Sequence, residues 1–326
     1  TNKNFIETFE IEIEKIIPID LKYASVNNFG LTENYAIYDL RNNPDYNLII
    51  DEFLSQLRNE TNYISLYDWS INRYGKKITK ILDNLCLKIS GKSSKIIDYR
   101  SEGMFMFNRI LLFDNKKTLS LKENKIYGKY LAAQSKSVHD YSKKHIIFTF
   151  PKGNFGFVNH LKNVLKKNNI NILQSVPNNF NKIDLHEKID NLVKISTPLH
   201  LVYLKCENFP YSYLHDYSDN TVFRVSSPGI YSNQFINSKS YVCLEIPDPK
   251  LTYNKTEIIE LAKSYIFKFN NEKSEFLHHM FVPNSYPIYE VFKKDIGNNK
   301  VNPFCYSKEE IMKNIDNLIQ NKFTLN

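Results

Sequence analysis

Residues 197–206 read Thr197-Pro198-Leu199-His200-Leu201-Val202-Tyr203-Leu204-Lys205-Cys206, a short apolar and aromatic run that predicts a strand. Two further stretches downstream have the same character, 222–227 (VFRVSS) and 240–246 (SYVCLEI), and the segments between them carry Asn, Asp, Pro and Gly. Turn-formers between β-rich runs predict a mainly antiparallel sheet. The next segment, Thr256 to Phe269, spaces its apolar positions as an amphipathic helix that would lie on one face of that sheet. Upstream, Ile146 to Phe150 (IIFTF) predicts a strand, Pro151-Lys152-Gly153-Asn154 a turn, Phe155 to Lys167 a helix, and Ile170 to Leu173 a second strand. Strand, glycine turn, helix and strand make a compact α/β unit.

The first part of the chain is read as mainly helical. Residues 45–59 (DYNLIIDEFLSQLRN) and 66–87 (LYDWSINRYGKKITKILDNLCL) place apolar residues three and four apart. Gly75 interrupts the second run, which predicts two helices meeting at a turn. Residues 88–140 give mixed signals, with a helix expected around Met104 to Leu112. The opening Phe5 to Leu21 alternates Ile and Glu and favours a half-exposed strand over a short helix, with Pro18 ending either one. Ser307 followed by Glu310 is a capping box opening a last helix to about Gln320. The expected fold class is α+β: a helical cap region, then a mainly antiparallel sheet with helices on one face. The expected divisions are 1–44 (N-terminal strands and connection), 45–143 (helical cap), 144–295 (sheet-containing substrate domain) and 296–326 (C-terminal helix).

At 326 residues the chain can bury a core of one large or two smaller domains. The formal charge is +8, but the lysines are spread along the chain and form no arm, so a nucleic-acid partner is not expected. No apolar run reaches the ~18–20 residues of a membrane span, and no signal peptide stands out. Cys86, Cys206, Cys243 and Cys305 show neither CxxC nor zinc spacing, which predicts free thiols in a reducing, cytoplasmic setting and no metal site. The first residue is Thr1 and not Met, which is read as upstream sequence missing.

Three constellations could carry chemistry. Pro151-Lys152-Gly153-Asn154-Phe155-Gly156 is a glycine turn before a helix, a place where backbone can approach an anion, although it lacks the P-loop ending. Tyr211 to Pro228 gathers three Tyr, one His, two Asp and one Arg. In it His215-Asp216 suggests acid–base work, and Arg224 could clamp a carboxylate or phosphate. Neighbours on a strand point to opposite faces, so His215 and Asp216 are not expected to act as a pair, and a surface hairpin is the plain alternative. Tyr286-Pro287-Ile288-Tyr289 could line a pocket or mark an aromatic turn. His278-His279 are adjacent, the wrong spacing for two metal ligands on one helix face.

Taken in order, four segments resemble the FAD-dependent amine oxidase superfamily, near UDP-galactopyranose mutase and protoporphyrinogen oxidase. They are Ser65 to Gly75, Phe150 to Gly156, Phe209 to Asp216 with Phe223 to Ser226, and Tyr286 to Tyr289. The resemblance covers roughly residues 45–295 and implies an FAD-dependent oxidoreductase or flavin-dependent mutase acting on a small molecule. In that setting Arg224 would anchor an anionic group, Tyr213, Tyr289 and His215 would meet substrate, and Lys152 and Gly153 would approach the cofactor. The departures are as specific. No GxGxxG is present to hold the FAD pyrophosphate, residues 302–326 show no second glycine-rich stretch, and Asn154 replaces the family's second glycine. The chain is therefore expected to be a fragment of a longer flavoenzyme, or a flavin-free binding module derived from that fold.

Overall fold

The computed structural model describes residues 10–11, 17–19, 21–33, 37–58, 63–105, 110–132, 148–170, 193–229, 240–271, 273–286 and 288–291. A small pairing comes first: β1 (Ile17–Pro18) runs antiparallel to β6 (Phe148–Thr149). Pro18 is the last residue of β1, so the strand ends at the proline, as expected from the sequence.

The helical region follows the sequence periodicity closely. Helix α1 spans Tyr46–Ser55, α2 Leu66–Tyr74 and α3 Lys76–Ser90. Ser65 caps α2 with a full capping box, its hydroxyl accepting from the Asp68 N–H. Gly75 joins α2 to α3 at φ +85°, and a Cβ there would lie 2.7 Å from Cγ of Glu52. Glu52 comes this close because its carboxylate accepts the Lys76 and Lys77 N–H groups at 2.8 and 2.9 Å, capping α3 from α1. Helix pairing here needs glycine at that joint. Phe53, Leu66, Trp69, Tyr74, Ile78 and Leu82 fill the core between these helices. Of the stretch expected as a helix over 104–112, the described residues 104–105 and 110–112 form no α-helix. A 3-10 helix covers Tyr99–Phe105, and Ile110–Leu111 form β5, parallel to β4 (Tyr38–Asp39). Helix α4 (Asn115–Lys122) follows, capped by Asp114.

Helix α5 (Gly153–Lys167) packs on β6. The strand expected at 170–173 and the helix expected at 307–320 lie outside the described residues, apart from Ile170.

The large sheet has seven strands: β2 (Tyr23–Asn27), β3 (Gly30–Glu33), β7 (Leu199–Lys205), β8 (Tyr213–Asp216), β9 (Arg224–Ser226), β10 (Tyr241–Pro247) and β11 (Glu275–Val282). Their order is β11-β7-β10-β9-β8-β2-β3, and only β2 and β8 run parallel. The chain is α+β with a mostly antiparallel mixed sheet. Helix α6 (Lys255–Asn270) covers one face. Asn254 caps it, accepting the Thr256 and Glu257 N–H groups while Glu257 returns to the Asn254 N–H. Its buried Ile258, Ala262, Tyr265 and Ile266 pack on Val202, Leu214, Val225, Val242 and Leu244, the period-two positions of the strands. Among the described residues no helix is long and apolar enough to cross a membrane.

Candidate functional site

Side chains at paired positions on neighbouring strands share a face, so the sheet register places the site residues. On the face away from α6, one row runs Tyr23, Tyr213, Ser226, Cys243, Tyr203 and His278 across six strands. The next row runs Ser25, His215, Arg224, Glu245, Leu201 and Met280. Strands that are apolar toward α6 are therefore polar and aromatic on the other side. The segment read as a possible surface hairpin supplies β8 and β9, which are interior strands of the sheet. The expectation that His215 and Asp216 do not pair holds: Asp216 points to the α6 side, accepting from the Tyr265 hydroxyl at 2.7 Å.

Arg224 is held from two sides. Its Nε lies 3.0 Å from Oε1 of Glu245, and its Nη2 pairs with the same oxygen. The other Glu245 oxygen accepts the Tyr286 hydroxyl at 2.8 Å. Partial burial works to lower the Arg224 pKa, and Glu245 outweighs it and raises it. Burial, then Glu245, pushes the Tyr286 phenol up, so it stays a donor. The guanidinium is thus fixed in plane, with Nη1 bonded to nothing among the described residues. Its side chain is 36% exposed, enough to meet a ligand.

His215 lies beside it across β8 and β9. Its ring stacks on Tyr217 (6.1 Å, 12°) and meets Phe223 edge-on, and Phe223 in turn meets Tyr286. Burial, then the Arg224 charge, lowers its pKa to about 3, so the imidazole is neutral near pH 7. Its Nδ1 is buried and has no hydrogen-bond partner among the described residues. A buried, unpartnered ring nitrogen is costly unless something supplies the bond. Tyr213 is half-buried and stacks on Tyr23 at 5.8 Å and 16°. In the same row, burial pushes the Cys243 thiol up to about 12, which leaves it an inert thiol and not a nucleophile.

Of the Tyr286–Tyr289 segment, the hydroxyl that reaches Glu245 is that of Tyr286. Tyr289 is half-buried and bridges by its backbone to Lys194, with its carbonyl accepting the Asp98 N–H. Tyr286 lies in the segment expected to line a pocket or mark an aromatic turn, with Tyr289 the residue expected to meet substrate; Glu245 was not singled out. Glu245 sits in a run that reads as core, and only the β9–β10 register reveals that it faces Arg224.

Lys152 and Gly153 belong to a different part of the fold, the turn from β6 into α5. Both take positive φ, +71° and +57°. The Gly153 N–H donates to the Phe150 carbonyl at 2.7 Å and the Gly156 N–H to that of Lys152 at 3.4 Å. A Cβ at Gly156 would stand 2.0 Å from the Pro151 carbonyl oxygen. These glycines serve the turn's own closure, and two of its backbone donors are spent inside it.

A cavity of about 530 Å³ lies beyond Tyr217, between α3 and the loops after β8 and β10, and neither Arg224, Tyr213 nor His215 lines it. In its wall Lys88 donates to the Asp216 and Ser218 carbonyls at 2.7 and 3.0 Å, and burial lowers its pKa to about 8. Among the described residues no group of three or more His, Cys, Asp or Glu could hold a metal.

No protein-family model and no curated protein matches the chain. Solved structures do. Reduced UDP-galactopyranose mutase superposes with a TM-score of 0.50 at 12% identity, over 87% of this chain and 69% of that one. A protoporphyrinogen oxidase-like protein from Exiguobacterium sp. 255-15 gives 0.49 at 11% identity, over 89% and 74%. An oxidoreductase from Methanosarcina mazei gives 0.44 at 12%, over 88% and 74%. At such identities the likeness is one of fold: the helices and mixed sheet of this chain are laid out as in the mutase.

Proposed function

We propose that this chain forms the substrate-facing part of a flavin-dependent oxidoreductase or mutase and binds a small molecule with an anionic group against Arg224. The observation that carries the reading is the Arg224 guanidinium, fixed by Glu245 and Tyr286 on an otherwise polar and aromatic sheet face. The mutase-like fold supports placing a ligand there. Arg224 would offer Nη1 to a carboxylate or phosphate oxygen. Tyr213 would pack against the ligand or donate its hydroxyl, and His215, neutral at pH 7, would exchange a hydrogen bond without carrying charge. Tyr289 would close the wall formed by its segment. Glu245 and Tyr286 would orient Arg224 and not touch the ligand.

In this class the flavin would supply the electron or covalent chemistry when bound. These 326 residues hold no GxGxxG, so the pyrophosphate would be held by residues outside this sequence. Lys152 and Gly153, at the turn from β6 into α5, are the residues of this chain that would approach the cofactor. The missing GxGxxG equally supports a second reading, a flavin-free binding module. An absorption spectrum of the protein purified from its natural host separates the two. A flavin band near ~450 nm, released as FAD on denaturation, supports the first. A colourless folded protein that takes up no added FAD supports the second.

A further inference from the structure

On the α6 side of the sheet, two histidines and a carboxylate form a continuous hydrogen-bonded chain. His200 on β7 and His279 on β11 stack at 5.2 Å and 25°, with Nδ1 of His200 2.9 Å from Nε2 of His279. On its far side, Nε2 of His200 lies 3.4 Å from Oδ2 of Asp248. Asp248 is buried just past β10, and its carboxylate also accepts the Thr252 and Tyr253 N–H groups and the Thr252 hydroxyl. Phe281 tilts against His200 at 5.1 Å. The other titratable groups acting on His279 are Lys255, from the start of α6, and His278, its neighbour on β11. Partial burial, then these charges, holds the His279 pKa below its ordinary value.

Counting protons fixes the states of this chain. Burial works against the Asp248 charge, but the N–H groups it accepts outweigh that and lower its pKa, so at neutral pH it can only accept. His200 therefore donates from Nε2. A neutral His200 then offers Nδ1 as an acceptor, so His279 donates from Nε2 and keeps its own Nδ1 bare. One added proton fits without breaking a bond. It can sit on Nδ1 of His279, or on Nδ1 of His200 with His279 switching tautomer to accept. A second added proton does not fit, because two N–H groups would then face each other across the 2.9 Å contact.

We propose that Asp248, His200 and His279 form a proton-counting latch on the edge strand β11, which holds with no added proton or one and releases His279 with the second. The position of β11 gives the latch its consequence. Its opposite face contributes His278 and Met280 to the two rows that carry Tyr213 and Arg224. Its pairing with β7 is already interrupted by a register shift between Phe276 and His278. Acid release of His279 would therefore loosen the outer wall of the candidate site. That consequence rests on the function proposed above; the latch itself does not.

The test is an imidazole nitrogen NMR titration from about pH 7.5 to about pH 4, with amide exchange of β11 followed over the same range. Wild type is compared with His279→Gln, whose amide can still donate to His200 but cannot titrate. The expected result is two coupled titration steps for the pair, with Nε2 of His200 protonated throughout. Across the second step the β11 amides of wild type should exchange about tenfold faster than intrinsic chemistry accounts for, and those of H279Q should not. Independent single-step titration of the two histidines would overturn the proposal, and the wild-type titration alone can show it. So would equal acid acceleration of β11 exchange in both proteins. Neither readout uses a ligand, so loss of anion binding at Arg224 and loss of the latch are separate outcomes.

Discussion

His215 should make the protein acid-labile by a calculable amount. Its native pKa is lowered to about 3, against an unfolded value near ~6.5. Between those values the unfolded chain binds more protons than the native one, so stability rises with pH and is lost as pH falls below ~6.5. Each pH unit in that window is worth ~1.4 kcal/mol, so about 2 kcal/mol should be gone by about pH 5. The penalty has a structural cause: the ring is enclosed by Tyr217 and Phe223, Arg224 stands beside it, and Nδ1 has no described partner to receive a proton's charge. His215→Phe keeps an aromatic ring between those neighbours and removes the titration. Urea unfolding of both proteins at about pH 7 and about pH 5 is the assay. The difference between their two pH dependences cancels the contribution of every other group. The variant should lose ~2 kcal/mol less than wild type on acidification. Parallel losses in the two proteins would refute the reasoning, and with it the neutrality of His215 in the site.

Two other substitutions probe the scaffold. Lys88→Met removes the cation 3.6 Å from Asp216, a carboxylate only 1% exposed, and should cost about 3 kcal/mol of unfolding free energy. A loss below ~1 kcal/mol would mean that the Tyr265 and Ser218 bonds alone satisfy that carboxylate. Gly156→Ala must move the α5 turn, because the new methyl would meet the Pro151 carbonyl oxygen at 2.0 Å. It should cost ~1–3 kcal/mol in a urea melt, and a neutral result would show that the turn is looser than drawn.

The helical half was readable because its signals are local. Apolar spacing and Gly75 set α1, α2 and α3 to within a few residues, and the spacing over Thr256 to Phe269 sets α6 to within one residue at each end. The errors came where pairing partners are distant in sequence. The apolar run near 104–112 has helical spacing, yet Ile110 and Leu111 pair with Tyr38 and Asp39 instead. Strand β11 mixes apolar residues with two histidines and gave no clear period; β7 recruits it as an edge. The same limit applies to the site. Arg224, Tyr213 and His215 were named because they cluster within a dozen residues. Glu245 and Tyr286 lie 21 and 62 positions beyond Arg224 by residue number; the Tyr286–Tyr289 segment stands out locally, but nothing local announces Glu245 or joins the two to Arg224. Asp248, His200 and His279 come together by the same long-range register.

The central claim is that the Arg224 face binds an anionic small molecule, and the most direct measurement follows the Arg224 Nε–H by NMR. Benzoate and pyrophosphate, one carboxylate and one phosphate probe, are titrated separately into wild type, and each is titrated by calorimetry into wild type and Arg224→Ala. The account predicts saturable shifts at Arg224 and Tyr213 with at least one probe, and an affinity for it that falls by ~1–3 kcal/mol in the variant. No shift at Arg224 with either probe, or an affinity unchanged in Arg224→Ala, would contradict it.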